Sequence, residues 1–311
     1  MRSTSTRLSA LSLLLALAVA GCDTVVSPEP GEPPPATLPL PETVDPDDIP
    51  SADARPPQAS CALKASEQSY RPAWDRPDFW CEGRRYLYRS SYSNNVLAVW
   101  STSDQKDVLF GWRGSFSAGD WLRDLQSQAF VNQWVSNPYC SGSSVKVGAG
   151  WADRIRYTKA GIIDWIDDNY ATLQRITVVG HSLGGVSAQL SGHFLAQCYA
   201  GRTNGSAKAR VNVVAFNPPR MSTDSGTLNQ MRGVADGQQG GRSYNVRWQQ
   251  FTRKGDIVHG LPTGMQHIKW DQWGTACIPT GEVARHRHVG PRILVPHDLG
   301  AWWDVIDSLG C

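Results

Sequence analysis

The run Ile176-Thr177-Val178-Val179-Gly180-His181-Ser182-Leu183-Gly184-Gly185 joins three signals in ten residues. Ile176 to Val179 is a short β-branched apolar segment, the pattern of a buried strand. Gly180, Ser182 and Gly184 follow it as a G-x-S-x-G turn. Leu183, Val186, Leu190 and Phe194 then recur on one helical face. In a strand–turn–helix setting, such a turn projects its central serine from the end of a sheet, and small residues flank it because bulk does not fit. Ser182 is therefore expected to be a nucleophile. The N–H of Leu183, at the helix N-terminus, is expected to point at the oxygen of an attacked carbonyl. The imidazole of His181 belongs to the turn itself and reads as structural.

The surrounding chain carries the same alternation. Apolar runs at 96–100, 108–112, 145–147, 211–216 and 244–251 read as further strands. Trp121, Leu122, Leu125 and Ala129 fit one helical face, and Ile155, Ile162, Ile163 and Ile166 fit another. Strands alternating with helices predict an α/β fold: a mostly parallel central sheet with helices on both faces. In such a sheet the site lies beyond the carboxyl ends of the strands. All 13 tryptophans fall within residues 61–311, which are expected to form a single folded domain.

A serine hydroxyl is a weak nucleophile without a base. On this kind of sheet the partners follow in the order serine, acid, histidine. Asp256, in Gly255-Asp256-Ile257-Val258, and His297, in Val295-Pro296-His297-Asp298-Leu299, fill that order. His297 would take the serine proton and Asp256 would orient the imidazole. Spacing alone leaves His193, His259, His267, His286 and His288 open as competitors. A second oxyanion donor is expected after an early strand, where Arg113-Gly114-Ser115 follows the run 108–112. Ser115 is the candidate.

Taken together and in order, these segments resemble the class 3 lipases, a fungal-type family of α/β-hydrolases. Arg113-Gly114-Ser115 with Asp120-Trp121 and Asp124-Leu125 is similar to that family's F-R-G-[ST]…D-W-x-x-D-L. Gly180-His181-Ser182-Leu183-Gly184-Gly185 matches G-H-S-L-G-G. Ala215-Phe216-Asn217-Pro218-Pro219-Arg220 resembles T-F-G-x-P-R, with Asn for Gly, and Asp256 to Pro262 resembles D-I-V-P-x-L-P. Val147-Gly148 resembles part of V-H-x-G-F, without its His and Phe. The resemblance covers roughly residues 95–305, and 61–94 have no counterpart in it. It implies the α/β-hydrolase fold and a Ser182–Asp256–His297 triad. It also implies oxyanion donors at Ser115 and Leu183, and a lid in the segment after Ser115, where Phe116, Ala118, Trp121 and Leu122 lie. His267 aligns with a non-catalytic histidine of the family and His297 with the catalytic one.

The start of the chain has a different character. Arg2 and Arg7 precede an apolar stretch at 8–20 and then Gly21-Cys22, a charged and apolar pattern too short to span a bilayer. Leu17 to Cys22 resembles the bacterial lipobox, which implies that residues 1–22 are a signal peptide and that Cys22 becomes a lipidated first residue. Residues 23–60 hold eleven prolines and eight acids against one arginine, so they are expected to be an acidic, Pro-rich tether without a core of its own. The expected location is the bacterial cell envelope, with the protein lipid-anchored after secretion. The remaining six cysteines, Cys61, Cys81, Cys140, Cys198, Cys277 and Cys311, suggest three disulfides, with 15 pairings open.

The net charge of +2 hides no cluster of Lys and Arg, so nucleic acid is not an expected partner. Neither a C-x-x-C nor a Cys/His pair at ligand spacing occurs, and no metal or cofactor is expected. The expected activity is hydrolysis of a carboxylic ester or lipid through an acyl-serine, as in a lipase or lipolytic esterase. A phospholipase, a feruloyl-type esterase or an acyltransferase would use the same residues, and a non-catalytic surface lipoprotein is the alternative from another class. Oligomeric state is left open by the sequence.

Overall fold

The described elements of the computed structural model run in chain order as α1 (Ala59–Gln68), β1 (Arg85–Tyr92), β2 (Asn95–Ser101), β3 (Asp107–Trp112), β4 (Asn132–Val135), β5 (Val145–Gly148), α2 (Ala149–Asn169), β6 (Arg175–His181), α3 (Leu183–Leu195), β7 (Arg210–Phe216), α4 (Ser225–Ala235), β8 (Gln238–Gln239), β9 (Arg242–Ser243) and β10 (Val246–Phe251). The structure describes residues 59–70, 85–92, 95–102, 104–114, 132–136, 140, 144–169, 172–201, 208–251 and 265–268.

Six strands form the main sheet in the order β1-β2-β3-β6-β7-β10. From β3 to β10 every pairing is parallel, while β1 and β2 add an antiparallel edge. This is the expected α/β arrangement, an α/β-hydrolase sheet that is mostly parallel. The period-2 geometry of a strand sorts its side chains onto two faces. Val108, Phe110 and Trp112 of β3, Ile176 and Val178 of β6, and Val211 and Val213 of β7 share one apolar cluster with α2, α3 and α4. Leu109, Val179, Val214 and Phe216 face the other way, with Cys61, Ala62, Leu63 and Ala65 of α1. Both faces are therefore covered by helices, which is why the central strands read as continuous apolar runs.

Two expectations are corrected. The run 145–147 is a strand, but β5 pairs with β4 in a separate antiparallel ladder rather than joining the main sheet. Helix α1 starts at Ala59, so the last two residues of the expected tether belong to folded structure. The rest of residues 1–22 and 23–60, Cys22 included, lies outside the described residues.

Cys140 and Cys198 form a disulfide with Cα atoms 5.1 Å apart. It ties the segment between β4 and β5 to the π-helical turn Ala196–Ala200 that ends α3. Cys61 is also in a disulfide. At the amino ends of β3 and β6, the Arg175 guanidinium pairs with the buried Asp107 carboxylate.

Candidate active site

Ser182 sits at the junction of β6 and α3 with φ 56° and ψ −126°. Positive φ is costly for any residue with a β-carbon, so the surroundings must hold this backbone in place. They do so with backbone bonds. The Ser182 N–H donates to the Phe216 carbonyl on β7 at 2.8 Å, and the Ser182 carbonyl accepts from Gly185 N–H at 2.8 Å. Its hydroxyl is buried and makes no hydrogen bond within the described residues. Leu183 is the first residue of α3, where N–H groups lack intrahelical acceptors. The elbow thus places a buried serine with a left-handed backbone beside a helix-terminal N–H.

The glycines of the turn are explained by close backbone approach. A β-carbon on Gly180 would overlap the Gly184 carbonyl, and one on Gly184 would overlap the Trp112 carbonyl at the end of β3. The start of α3 therefore lies directly against the strand end that leads to Ser115. That strand end is held from two sides. Arg154 of α2 donates from Nη2 to the Arg113 carbonyl at 3.0 Å. The hydroxyl of Tyr70, from the turn after α1, stands directly against the α-carbon of Gly114. The same hydroxyl lies 3.0 Å from His181 Nδ1. Burial pushes the Tyr70 phenol well above its ordinary value, so the phenol stays protonated.

The carboxyl ends of three neighbouring strands stand level. His181 is in register with Phe216, and Phe216 with Phe251, the last residue of β10. The register brings Ser182, Leu183, Gly114 and the end of β10 to one edge of the sheet. Asp256 and His297 lie outside the described residues, as do Ser115, the expected lid segment, His259, His286 and His288. His181 is fully buried. His193 lies on α3 about 16 Å beyond the elbow by helical rise. Its ring is fully buried, with Nε2 3.1 Å from Gln197 Nε2, and burial lowers its pKa to about 3. It is a neutral core residue. His267 is also buried, and its carbonyl accepts from Arg232. Among the described residues no group of three His, Cys, Asp or Glu is gathered to hold a metal ion.

Asn217 has φ 43°, in the left-handed region that favours glycine. Asn tolerates that region best among residues with a β-carbon, which accounts for Asn where the resembled pattern has Gly. Tyr70 is the site residue that sequence reasoning missed. It comes from a segment without motif or counterpart, and a lone tyrosine there carries no signal.

Residues 109–263 match the profile of the family described as lipase (class 3). Over that segment, just under half of its length, the chain is similar to the class 3 lipase family. Among curated proteins it is similar to Phospholipase A1-Igamma1, chloroplastic, of Arabidopsis thaliana, 23% identical over 161 residues, or 46% of this chain and 31% of that protein. It is also similar to Phospholipase A1-II 4 of Oryza sativa subsp. japonica, 29% identical over 137 residues, or 39% of this chain and 34% of that one. The chain thus spans about a third of the length of these relatives. Among solved structures, Lip2 lipase from Yarrowia lipolytica aligns with a TM-score of 0.50 at 18% identity, covering 68% of this chain and 78% of that one, a likeness of fold.

Proposed function

We propose that this protein is a lipolytic carboxylic-ester hydrolase that works through a covalent acyl-Ser182 intermediate. The observation that carries the reading is the elbow: a buried serine at φ 56° between a parallel strand and a helix, with a helix-terminal N–H beside it. In the proposed reaction Ser182 Oγ attacks the ester carbonyl while His297 takes its proton. Asp256 fixes the imidazole tautomer and stabilises the imidazolium. The N–H groups of Leu183 and Ser115 hold the oxyanion. His297 returns the proton to the leaving alcohol, and water then releases the acid with the same residues acting in the same order.

The plant relatives are phospholipases A1 by name, which makes a phospholipid ester the second substrate class to test beside neutral glycerides. We further propose that Cys22 is lipidated and holds the enzyme on the bacterial cell envelope. Support for this comes from the lipobox resemblance and the Pro-rich segment that follows it.

The test is labelling of the whole protein with a fluorophosphonate, alongside turnover of p-nitrophenyl esters, triglycerides and phospholipids. Ser182→Ala is expected to abolish labelling and lower kcat by up to ~10⁶-fold. Full turnover in that variant would end the reading. Labelling that survives His297→Ala or Asp256→Ala at the normal rate would reassign the base or the acid. A substrate panel with added alcohol separates hydrolase, phospholipase, feruloyl-type esterase and acyltransferase.

A further inference from the structure

Tyr70, in the turn after α1, brings its hydroxyl to the residue before Ser182. We propose that Tyr70 is a positioning residue: its hydroxyl ties the end of β3 to the turn before the nucleophile and so sets the aim of the oxyanion donors. The proposal rests on the acyl-Ser182 reading and deepens it.

The Tyr70 hydroxyl is hydrogen-bonded to the His181 ring, with its oxygen 3.0 Å from Nδ1. The same oxygen stands directly against the α-carbon of Gly114, where a β-carbon would overlap it. One neighbour lies one residue before Ser115 and the other one residue before Ser182.

Packing leaves no alternative occupant for that space. A β-carbon on Gly114 would overlap the Tyr70 oxygen and lie 2.7 Å from the His181 carbonyl. The backbones of Gly114 and His181 therefore meet beside the Tyr70 side-chain oxygen, and the Tyr70 and His181 ring centroids stand 6.1 Å apart. On the far side of the same strand end, Arg154 holds the Arg113 carbonyl. Oxyanion donors act only when their N–H groups are held at the position the charge will occupy, so a loosened strand end costs rate more than substrate affinity.

Tyr70→Phe in the full chain keeps the ring and deletes the hydroxyl. On p-nitrophenyl butyrate, kcat is expected to fall about 10- to 100-fold, the cost of misplacing a reacting group by about 1 Å. KM should stay within about threefold, because ground-state binding is not touched. The rate of fluorophosphonate labelling should fall with kcat. His181→Gln keeps an acceptor for the phenol and should lose less than His181→Phe, and this pair reads the same bond should Tyr70→Phe fail to fold. A Tyr70→Phe enzyme with kcat within about twofold of the parent overturns the positioning role, as does equal loss in the two His181 variants. Ser182→Ala run in parallel keeps the two readings apart. If it retains turnover, the acyl-serine reading and this one fall together. If it is dead while Tyr70→Phe is unaffected, only the positioning role falls.

Discussion

Gly184 and Trp112 meet backbone to backbone, with the α-carbon of one against the carbonyl oxygen of the other and no room for a β-carbon between them. Neither side can yield cheaply, because Trp112 is fixed in the β3–β6 ladder and its indole N–H donates to Ser191 Oγ at 2.9 Å. Gly184→Ala should therefore move the start of α3 away from the end of β3. The expected outcome is a loss of about 100-fold in kcat from misaligned donors, with about 1–3 kcal/mol of stability lost to overpacking. Steady-state kinetics and urea denaturation of one preparation measure both.

Asn217 holds a left-handed backbone in which its N–H donates to the Phe251 carbonyl at 2.7 Å. Glycine should be accepted there, and a β-branched residue should not. Asn217→Val is expected to be less stable than Asn217→Gly by about 1–2 kcal/mol, the cost of that conformation for a β-carbon. Thermal melts of the two variants decide it; equal melting temperatures would refute the assignment.

Asp107 is fully buried and paired with Arg175 at the end of the sheet away from the elbow. Removing one partner strands the other charge, so Asp107→Ala should cost about 3–5 kcal/mol. Because the pair opens β3 and β6 while the nucleophile follows β6, the folded fraction should keep its kcat. A large kcat loss at full folding would contradict this division.

His193 is buried, and its folded pKa of about 3 lies below the unbound value of 6.5. A depressed folded value means that the unfolded chain binds the extra proton first. The neutral ring's contribution is fully present above pH 6.5 and is lost as pH falls from there towards 3. In that window stability should drop by about 1.4 kcal/mol per pH unit from this residue alone. A His193→Gln variant should show a flatter acid limb in denaturant midpoints taken between those limits.

The Cys140–Cys198 bond closes a loop with a sequence separation of 58. Chain-entropy arguments give such a cross-link about 4 kcal/mol. Replacing both cysteines with serine should lower stability by an amount of that order, visible as a fall in the urea midpoint with a steeper slope as the unfolded chain expands.

What could be read in the sequence was what is encoded locally. The elbow needs only Gly180, Ser182 and Gly184 between a β-branched run and an amphipathic helix, and the structure has that arrangement. The strands β3, β6 and β7 were legible because burial on both faces makes them largely apolar. Strand β5 was legible as a strand but not as a member of a separate ladder, since Val145 and Val147 alternate in the same way whichever partner they find. Tyr70 was illegible for a related reason: its role arises only when α1 folds onto the sheet and brings the hydroxyl to His181, 111 positions away. Asp256 and His297 were proposed from order and resemblance, and both lie outside the described residues.

Helix α1 has a practical bearing on how this protein can be produced. The family segment begins at residue 109, fifty positions after α1 starts. A recombinant fragment trimmed to 109–263 would lack the helix that covers Leu109, Val179, Val214 and Phe216. It would also begin inside β3, without its neighbours β1 and β2. One whole side of the sheet would be left wet, and such a fragment should be recovered as inclusion bodies rather than as a catalyst.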